Sequence, residues 1–215
     1  MNPYESAQIR VHPRLSEQSE DILTNIILVR HGQTAWTPVN RIQGWLDIKL
    51  NEQGLKQAKR IAKELKRKKL KAIYSSELSR AYETARIIAR GHKLKVKKNI
   101  NLNELNQGKW QGLLVKEARR KYKELYRRWE EEPLSVRPPG GESISDLYER
   151  ALHVLREITK KYPKDRVVIV GHKVVNTVIK CYSLGINLSD VWKLLPKEAS
   201  WEEIEVPRLK IKNRK

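Results

Sequence analysis

Two runs of four aliphatic residues, Ile26-Ile27-Leu28-Val29 and Val167-Val168-Ile169-Val170, constrain this chain more than any other feature. Both lack the polar alternation of a strand that faces water on one side. Each therefore reads as a strand buried on both faces. Both end abruptly in polar chemistry, Arg30-His31-Gly32 after the first and Gly171-His172 after the second. Doubly covered strands belong to α/β architectures, and open α/β sheets place their ligand sites at the carboxyl ends of the strands. Two histidines at two such ends is the central observation.

The intervening sequence alternates strand and helix signals. Asn51 caps a helix whose apolar positions, Leu55, Ala58, Ala62 and Leu65, fall at helical spacing. Ala72–Ser75 reads as a short strand, followed at once by a helix with Leu78, Ala81, Ala85 and Ile88 inward and Gly91 as its stop. This alternation predicts a βαβ unit with parallel pairing. Val96 and Ile100 suggest a further strand. A helix from about Leu113 to Glu130 carries Ala118, Tyr122, Leu125 and Trp129 on one stripe. Pro133, Pro138, Pro139, Gly140 and Gly141 make a loop, from which Glu142 is expected to shape a pocket mouth. Ser143 with Asp146 three residues on is a capping box for a long helix with Ile144, Leu147, Ala151, Leu155 and Ile158 inward. The helix after His172 carries Val174, Val178, Ile179 and Tyr182 and stops at Gly185. Trp201 to Val206 is an edge strand before Pro207.

A length of 215 residues suits one domain, and 39% hydrophobic content supports a core even without phenylalanine. The expected organisation is an extension over 1–24, a core over 25–207 with 113–142 as an insertion over the active site, and a basic tail over 208–215. The single cysteine, Cys181, permits no internal disulfide and no cysteine-based zinc site, and it fits a reducing cytoplasm. No apolar run reaches the roughly 18 residues a membrane span needs. The first 24 residues carry charges and no apolar h-region, so they do not read as a signal peptide. Forty-five Lys and Arg against 25 Asp and Glu give a net charge of +20, which favours anionic partners without choosing among them. The Lys-rich, Glu-bearing composition also fits a thermophilic source.

Four blocks then occur in one order. They are Leu28-Val29-Arg30-His31-Gly32 with Arg41-x-Gln43-Gly44-x-x-Asp47-x-x-Leu50-x-x-x-Gly54; Ser75-Ser76-x-Leu78-x-Arg80-Ala81-x-x-Thr84-Ala85; Leu102-x-Glu104-x-x-x-Gly108-x-Trp110-x-Gly112; and Val170-Gly171-His172. Together they resemble the histidine phosphatase superfamily, in its phosphoglycerate-mutase-like branch, over residues 26 to about 206. The phosphatase subgroup is the better match, including α-ribazole and broad-specificity phosphatases. The resemblance implies a three-layer α/β/α fold with a mostly parallel central sheet, phosphoglycerate-mutase-like. It also implies a small phosphorylated substrate and catalytic roles for Arg30, His31, Arg80, Glu104 and His172.

The residues suit that chemistry on their own terms. A phosphomonoester needs its phosphoryl oxygens neutralised, a nucleophile in line and a proton for the leaving oxygen. A neutral His31 can attack phosphorus and divide one hard displacement into two easier ones. Arg30 and Arg80 offer forked donors matched to a phosphoryl group, and His172 can donate to an equatorial oxygen. Glu104 is the candidate general acid and then base. No metal or other cofactor is called for. Gly32, Gln33, Thr34, Thr37, Gln43, Gly44 and Lys173 are the expected substrate contacts. Thr37 stands where many family members have Asn, and Lys173 where many have Gly; Lys173 or Asn176 is expected to touch substrate or brace the pocket.

Taken singly, each residue has a plainer reading. Arg80 can be a surface cation paired with Glu77 or Glu83, Glu104 a loop carboxylate, and His172 a satisfied core histidine. Only the joint pattern overturns these. His12, His92 and His153 have no supporting context and read as two loop residues and one on a helix face; Cys181 reads as a small core residue. A phosphoglycerate mutase, which returns the phosphoryl group to a substrate, is the alternative enzyme. A basic nucleic-acid-binding protein on this scaffold is the alternative class, but no aromatics interleave the cations of residues 56–71 for base stacking. Trp129, Arg127, Arg128 and Arg137 either meet substrate or simply pack and solvate. A homodimer is compatible with the sequence, which selects no oligomeric state.

Overall fold

The computed structural model describes residues 22–208, so the tail beyond Arg208, His12 and nearly all of the proposed extension lie outside the described residues. Five strands, β1 (Leu23–Arg30), β2 (Ala72–Ser75), β3 (Val96–Lys98), β4 (Arg166–Gly171) and β5 (Trp201–Pro207), form one sheet in the order β3-β2-β4-β1-β5. All neighbours are parallel except β1 and β5. β1 starts at Leu23, two residues before the predicted core, because Leu23 and Thr24 pair with Pro207 and Val206 of β5.

The strands alternate between two apolar layers, as their period of two requires. Ile27, Val29, Ile73, Val168 and Val170 face α1 (Glu52–Leu65) and α2 (Ser79–Arg90), whose Ile61, Leu65, Ala81, Ala85 and Ile88 are buried against them. Ile26, Leu28, Tyr74, Val167 and Ile169 face α5 (Ile144–Lys161) and α6 (Lys173–Leu184). The three-layer α/β/α fold therefore follows from two strands that are apolar on both sides.

Local signals explain most element ends. The Asn51 side chain accepts from the Gly54 amide at the start of α1, and Ser143 with Asp146 forms the predicted capping box of α5. Gly185 ends α6 at φ +64°. Gly91 ends α2 at φ −68°, a right-handed conformation; the left-handed residue is Lys93, at φ 54°.

Two expectations change. Ile100 leaves the strand predicted with Val96, since the Asn99 side chain accepts from the Asn101 amide and starts a 3-10 turn. The helix predicted over 113–130 is two, α3 (Val115–Lys121) and α4 (Lys123–Glu131), broken at Tyr122. Packing of large rings overrides helix continuity there: Tyr122, Tyr126 and Trp129 surround the fully buried Trp110, with centroids 6.1, 5.0 and 5.6 Å from it.

Candidate active site

The parallel register brings β1, β4 and β2 to the same edge, with Arg30 opposite Gly171 and Ser75 opposite Val170. His31, His172 and Ser76 are the next residues of the three strands. Gly32 lets the first loop lie against the start of α1: a Cβ there would sit 2.4 Å from the Gly54 carbonyl oxygen, and one on Gly54 would sit 2.1 Å from that of Gln33.

Both histidines are buried, and their rings meet edge to face with centroids 5.0 Å apart. Burial pushes both well below the ordinary histidine value, reinforced by the Arg80 charge. Both are therefore neutral at neutral pH. His31 Nδ1 lies 2.7 Å from the Gly32 carbonyl oxygen. A carbonyl only accepts, so Nδ1 carries the hydrogen and Nε2 carries the lone pair. That is the tautomer of a nucleophile.

Arg80, predicted in its plainer reading to pair on the surface, is 1% exposed. Its Nη1 and Nη2 donate to the carbonyls of Leu46 (2.8 Å) and Gly44 (2.7 Å), while Glu83 pairs with Arg86 instead. Burial pushes the Arg80 guanidinium down to about 10, so it stays charged at neutral pH. Arg30 Nη1 donates to the Pro196 carbonyl at 2.9 Å. The Nε atoms of Arg30 and Arg80 and Nδ1 of His172 are buried without a partner among the described residues. Buried polar atoms are nearly always paired, so two orphaned guanidinium N–H donors beside a neutral imidazole at one strand edge make this a candidate anion site.

Glu104 is 7% exposed, and its carboxylate accepts from the amides of Leu105, Val174 and Val175 at 2.9–3.3 Å, the last two at the N-terminus of α6. Its backbone is held from two sides. Trp45 Nε1 donates to the Glu104 carbonyl, and Arg150 donates to the carbonyls of Asn101, Asn103 and Glu104 while pairing with Glu142 at 2.6 Å. Glu142 thus clamps the Glu104 loop through Arg150. Arg150 escaped the sequence reading, although a cation three residues after Leu147, beside the apolar stripe of α5, was its available signal.

The predicted substrate contacts divide. Lys173 is exposed and lies within electrostatic range of Arg30 and Glu104, whereas Asn176 is buried with its Oδ1 against Gly171, where a Cβ would sit. Gly44 contributes its carbonyl to Arg80 at φ +49°. The Thr34 hydroxyl accepts from the Trp36 amide, and the Thr37 hydroxyl accepts from the Thr34 amide and from Gln43 Nε2. These bonds close a turn. Gln33 is tied to Glu198, Asn51 and Gln57. Trp129 is buried, Arg127 pairs with Glu124 and Glu131, Arg128 donates to Ser135, and Arg137 pairs with Asp146. His92 is half-buried and His153 pairs with Glu157 on its helix face.

The model of the histidine phosphatase superfamily (branch 1) matches residues 26–212. The chain belongs to that superfamily. It is 43% identical to phosphoserine phosphatase 1 of Hydrogenobacter thermophilus, over 86% of this chain and 87% of the relative. It is 31% identical to a 2,3-bisphosphoglycerate-dependent phosphoglycerate mutase of Methanococcus vannielii, over 80% of this chain and 86% of the relative. Among solved structures, Bacillus stearothermophilus YhfR superposes with a TM-score of 0.79 at 32% identity, covering 85% of this chain and 91% of that one. The fold is that of the superfamily, and the chain is a phosphatase. Among the described residues no helix is long and apolar enough to cross a membrane.

The two neutral histidines have a consequence for stability. Both have folded values below the unfolded value of about 6.5, so on acidification the unfolded chain takes up protons that the native state refuses. Their contribution is complete above pH 6.5 and is lost as pH falls below it, by roughly 1.4 kcal/mol per histidine per pH unit. Thermal melts from pH 7.5 to 5.5 should show a steepening fall in Tm, reduced in His172→Gln.

Proposed function

We propose that this phosphatase hydrolyses a small phosphomonoester, with O-phosphoserine as the leading substrate, through a phosphohistidine on His31. The observation that carries the mechanism is the His31 tautomer: Nδ1–H tied to the Gly32 carbonyl, Nε2 free to attack. In the first step the Nε2 lone pair forms a bond to phosphorus as the ester P–O bond breaks. Glu104 gives a proton to the departing oxygen. In the second step Glu104 takes a proton from water, which attacks the phosphohistidine and returns the Nε2 lone pair. Arg30, Arg80 and His172 hold the phosphoryl oxygens, with Lys173 at the mouth. No metal has a role in either step.

Phosphoserine rests on the 43% identity to an enzyme of that name. A mutase reading has its own support in the relative at 31% identity. The nucleic-acid reading loses support from buried chemistry: a surface binder needs neither a 1%-exposed Arg80 nor paired neutral histidines. Buried Cys181 supports a reducing, cytoplasmic setting, and exposed ion-pair chains such as Glu124–Arg127–Glu131 support a thermophilic source.

The test compares kcat/KM in EDTA for O-phosphoserine, p-nitrophenyl phosphate, α-ribazole phosphate and 3-phosphoglycerate, with a parallel assay for conversion of 3- to 2-phosphoglycerate. Phosphoserine hydrolysis at least tenfold above the other esters is expected. Phosphoglycerate interconversion faster than any hydrolysis would replace the reading with the mutase one, and loss of turnover in EDTA would remove the metal-free mechanism.

A further inference from the structure

His172 is the buried group whose protons the reaction scheme leaves unassigned, and its hydrogen bonds determine them. The Glu77 amide points at Asn103 Oδ1 at 3.0 Å. A backbone amide only donates, so the atom facing it is the side-chain oxygen, and the orientation of the Asn103 amide is fixed. The same Oδ1 lies 2.7 Å from Ser76 Oγ. An amide oxygen only accepts, so the Ser76 hydroxyl hydrogen points to Asn103. Ser76 Oγ is left with lone pairs, which receive the Leu78 amide at 3.1 Å and His172 Nε2 at 2.8 Å. His172 Nε2 must then carry a hydrogen, and in the neutral ring Nδ1 must carry the lone pair. That Nδ1 is the orphaned nitrogen at the anion site. The two histidines are thus held in opposite tautomers.

We propose that Ser76 and Asn103 are positioning residues that lock His172 as a proton acceptor at Nδ1, so that binding a phosphoryl dianion draws one proton from solvent onto that nitrogen. The resulting imidazolium donates Nε2–H to Ser76 and Nδ1–H to a phosphoryl oxygen, with no hydrogen bond inside the protein broken. Without the lock a neutral ring can flip its tautomer, donate from Nδ1 and take up no proton. The charged and titratable groups facing His172 are Arg30 and His31 from the β1 end, Arg80 from α2 and Arg150 from α5, with the Glu104 carboxylate against the amides of Val174 and Val175. Burial first, and the charges of those three arginines second, keep the ring neutral; a bound dianion offsets the arginine charges and supplies an acceptor for a new proton, and this ties its protonation to occupancy. Ser76 lies in a block noted in the sequence, where its role was unassigned; Asn103, one residue before Glu104, gave no separate signal.

The inference rests on the phosphatase reading only for the identity of the anion; the tautomer is measurable without turnover. The experiment is ¹⁵N NMR of histidine-labelled protein at pH 8, free and with inorganic phosphate, with His172→Gln assigning the ring. In free wild type, Nε2 protonated and Nδ1 unprotonated is expected, with His31 reversed, and phosphate should protonate Nδ1 of His172. Ser76→Ala should release the tautomer and lower kcat/KM by about 10–100-fold, by analogy with the loss of hydrogen-bond partners that orient metal-bound histidines. Asn103→Asp, which remains an acceptor toward Ser76, should retain the tautomer where Asn103→Leu does not. Nδ1–H in the free protein, or an unchanged tautomer in Ser76→Ala, overturns the lock. Phosphate that perturbs Gly32 and Arg80 without protonating His172 overturns the proton linkage, and no perturbation at all overturns the anion site itself.

Discussion

His31→Ala should abolish turnover, by about 10⁴-fold or more, while the protein melts as a folded domain. The expected size follows from covalent chemistry: removing the nucleophile removes both displacement steps, and neither arginine can replace a nitrogen lone pair. Folding should survive, because among the described residues the side chain makes a single hydrogen bond, to the neighbouring Gly32 carbonyl. Two measurements check this. Phosphate release from p-nitrophenyl phosphate in EDTA should vanish in the variant, and acid-labile, base-stable labelling by a ³²P-ester should appear in wild type alone. Near-wild-type turnover in His31→Ala would transfer the nucleophile's role elsewhere.

Arg80→Lys should lower kcat/KM by about 10²–10³-fold, as expected when one preorganised donor to a developing anion is lost. Charge alone is not what Arg80 supplies. Its two terminal nitrogens hold the Leu46 and Gly44 carbonyls, which leaves the buried Nε for an anion. A lysine ammonium can occupy one of those places but cannot bridge the loop and face the phosphoryl group together. The 44–46 loop also carries Trp45, which donates to the Glu104 carbonyl, so a loosened loop should disturb the proton donor as well. The loss should therefore fall mainly on kcat. A rise in KM with kcat unchanged would reduce Arg80 to ground-state binding.

Sequence and structure divided the work unevenly along the chain. The two aliphatic runs were sufficient for a doubly covered sheet, since a strand without a polar face has nowhere to put water. The Asn51 cap, the Ser143–Asp146 box and Gly185 likewise wrote their helix ends locally, each through a side chain or a dihedral acting within four residues. The helix that the periodicity predicts over 113–130 is two helices for the opposite reason. Its stripe is periodic through Tyr122, and only the distant Trp110, which three rings must surround, breaks it there. Thr34 and Thr37 read in sequence as substrate contacts, and only the structure shows that they also bond one another across a turn that Gln43 joins.

At the site itself, the sequence by itself determined which chemical groups are present: two imidazoles at strand ends, two forked cations and one carboxylate. Their spacing in ordered blocks was enough to name the family. Tertiary structure alone decided their protonation and aim. The lone pair of His31 is set by its neighbour's carbonyl, but that of His172 is set by Ser76, Asn103 and the Glu77 amide, which lie far away in the chain. Neutrality of both rings comes from burial beside Arg80, and the Glu104 loop is held by Arg150 from α5. A hydrogen's position depends on what surrounds a nitrogen in space, and no local pattern encodes that.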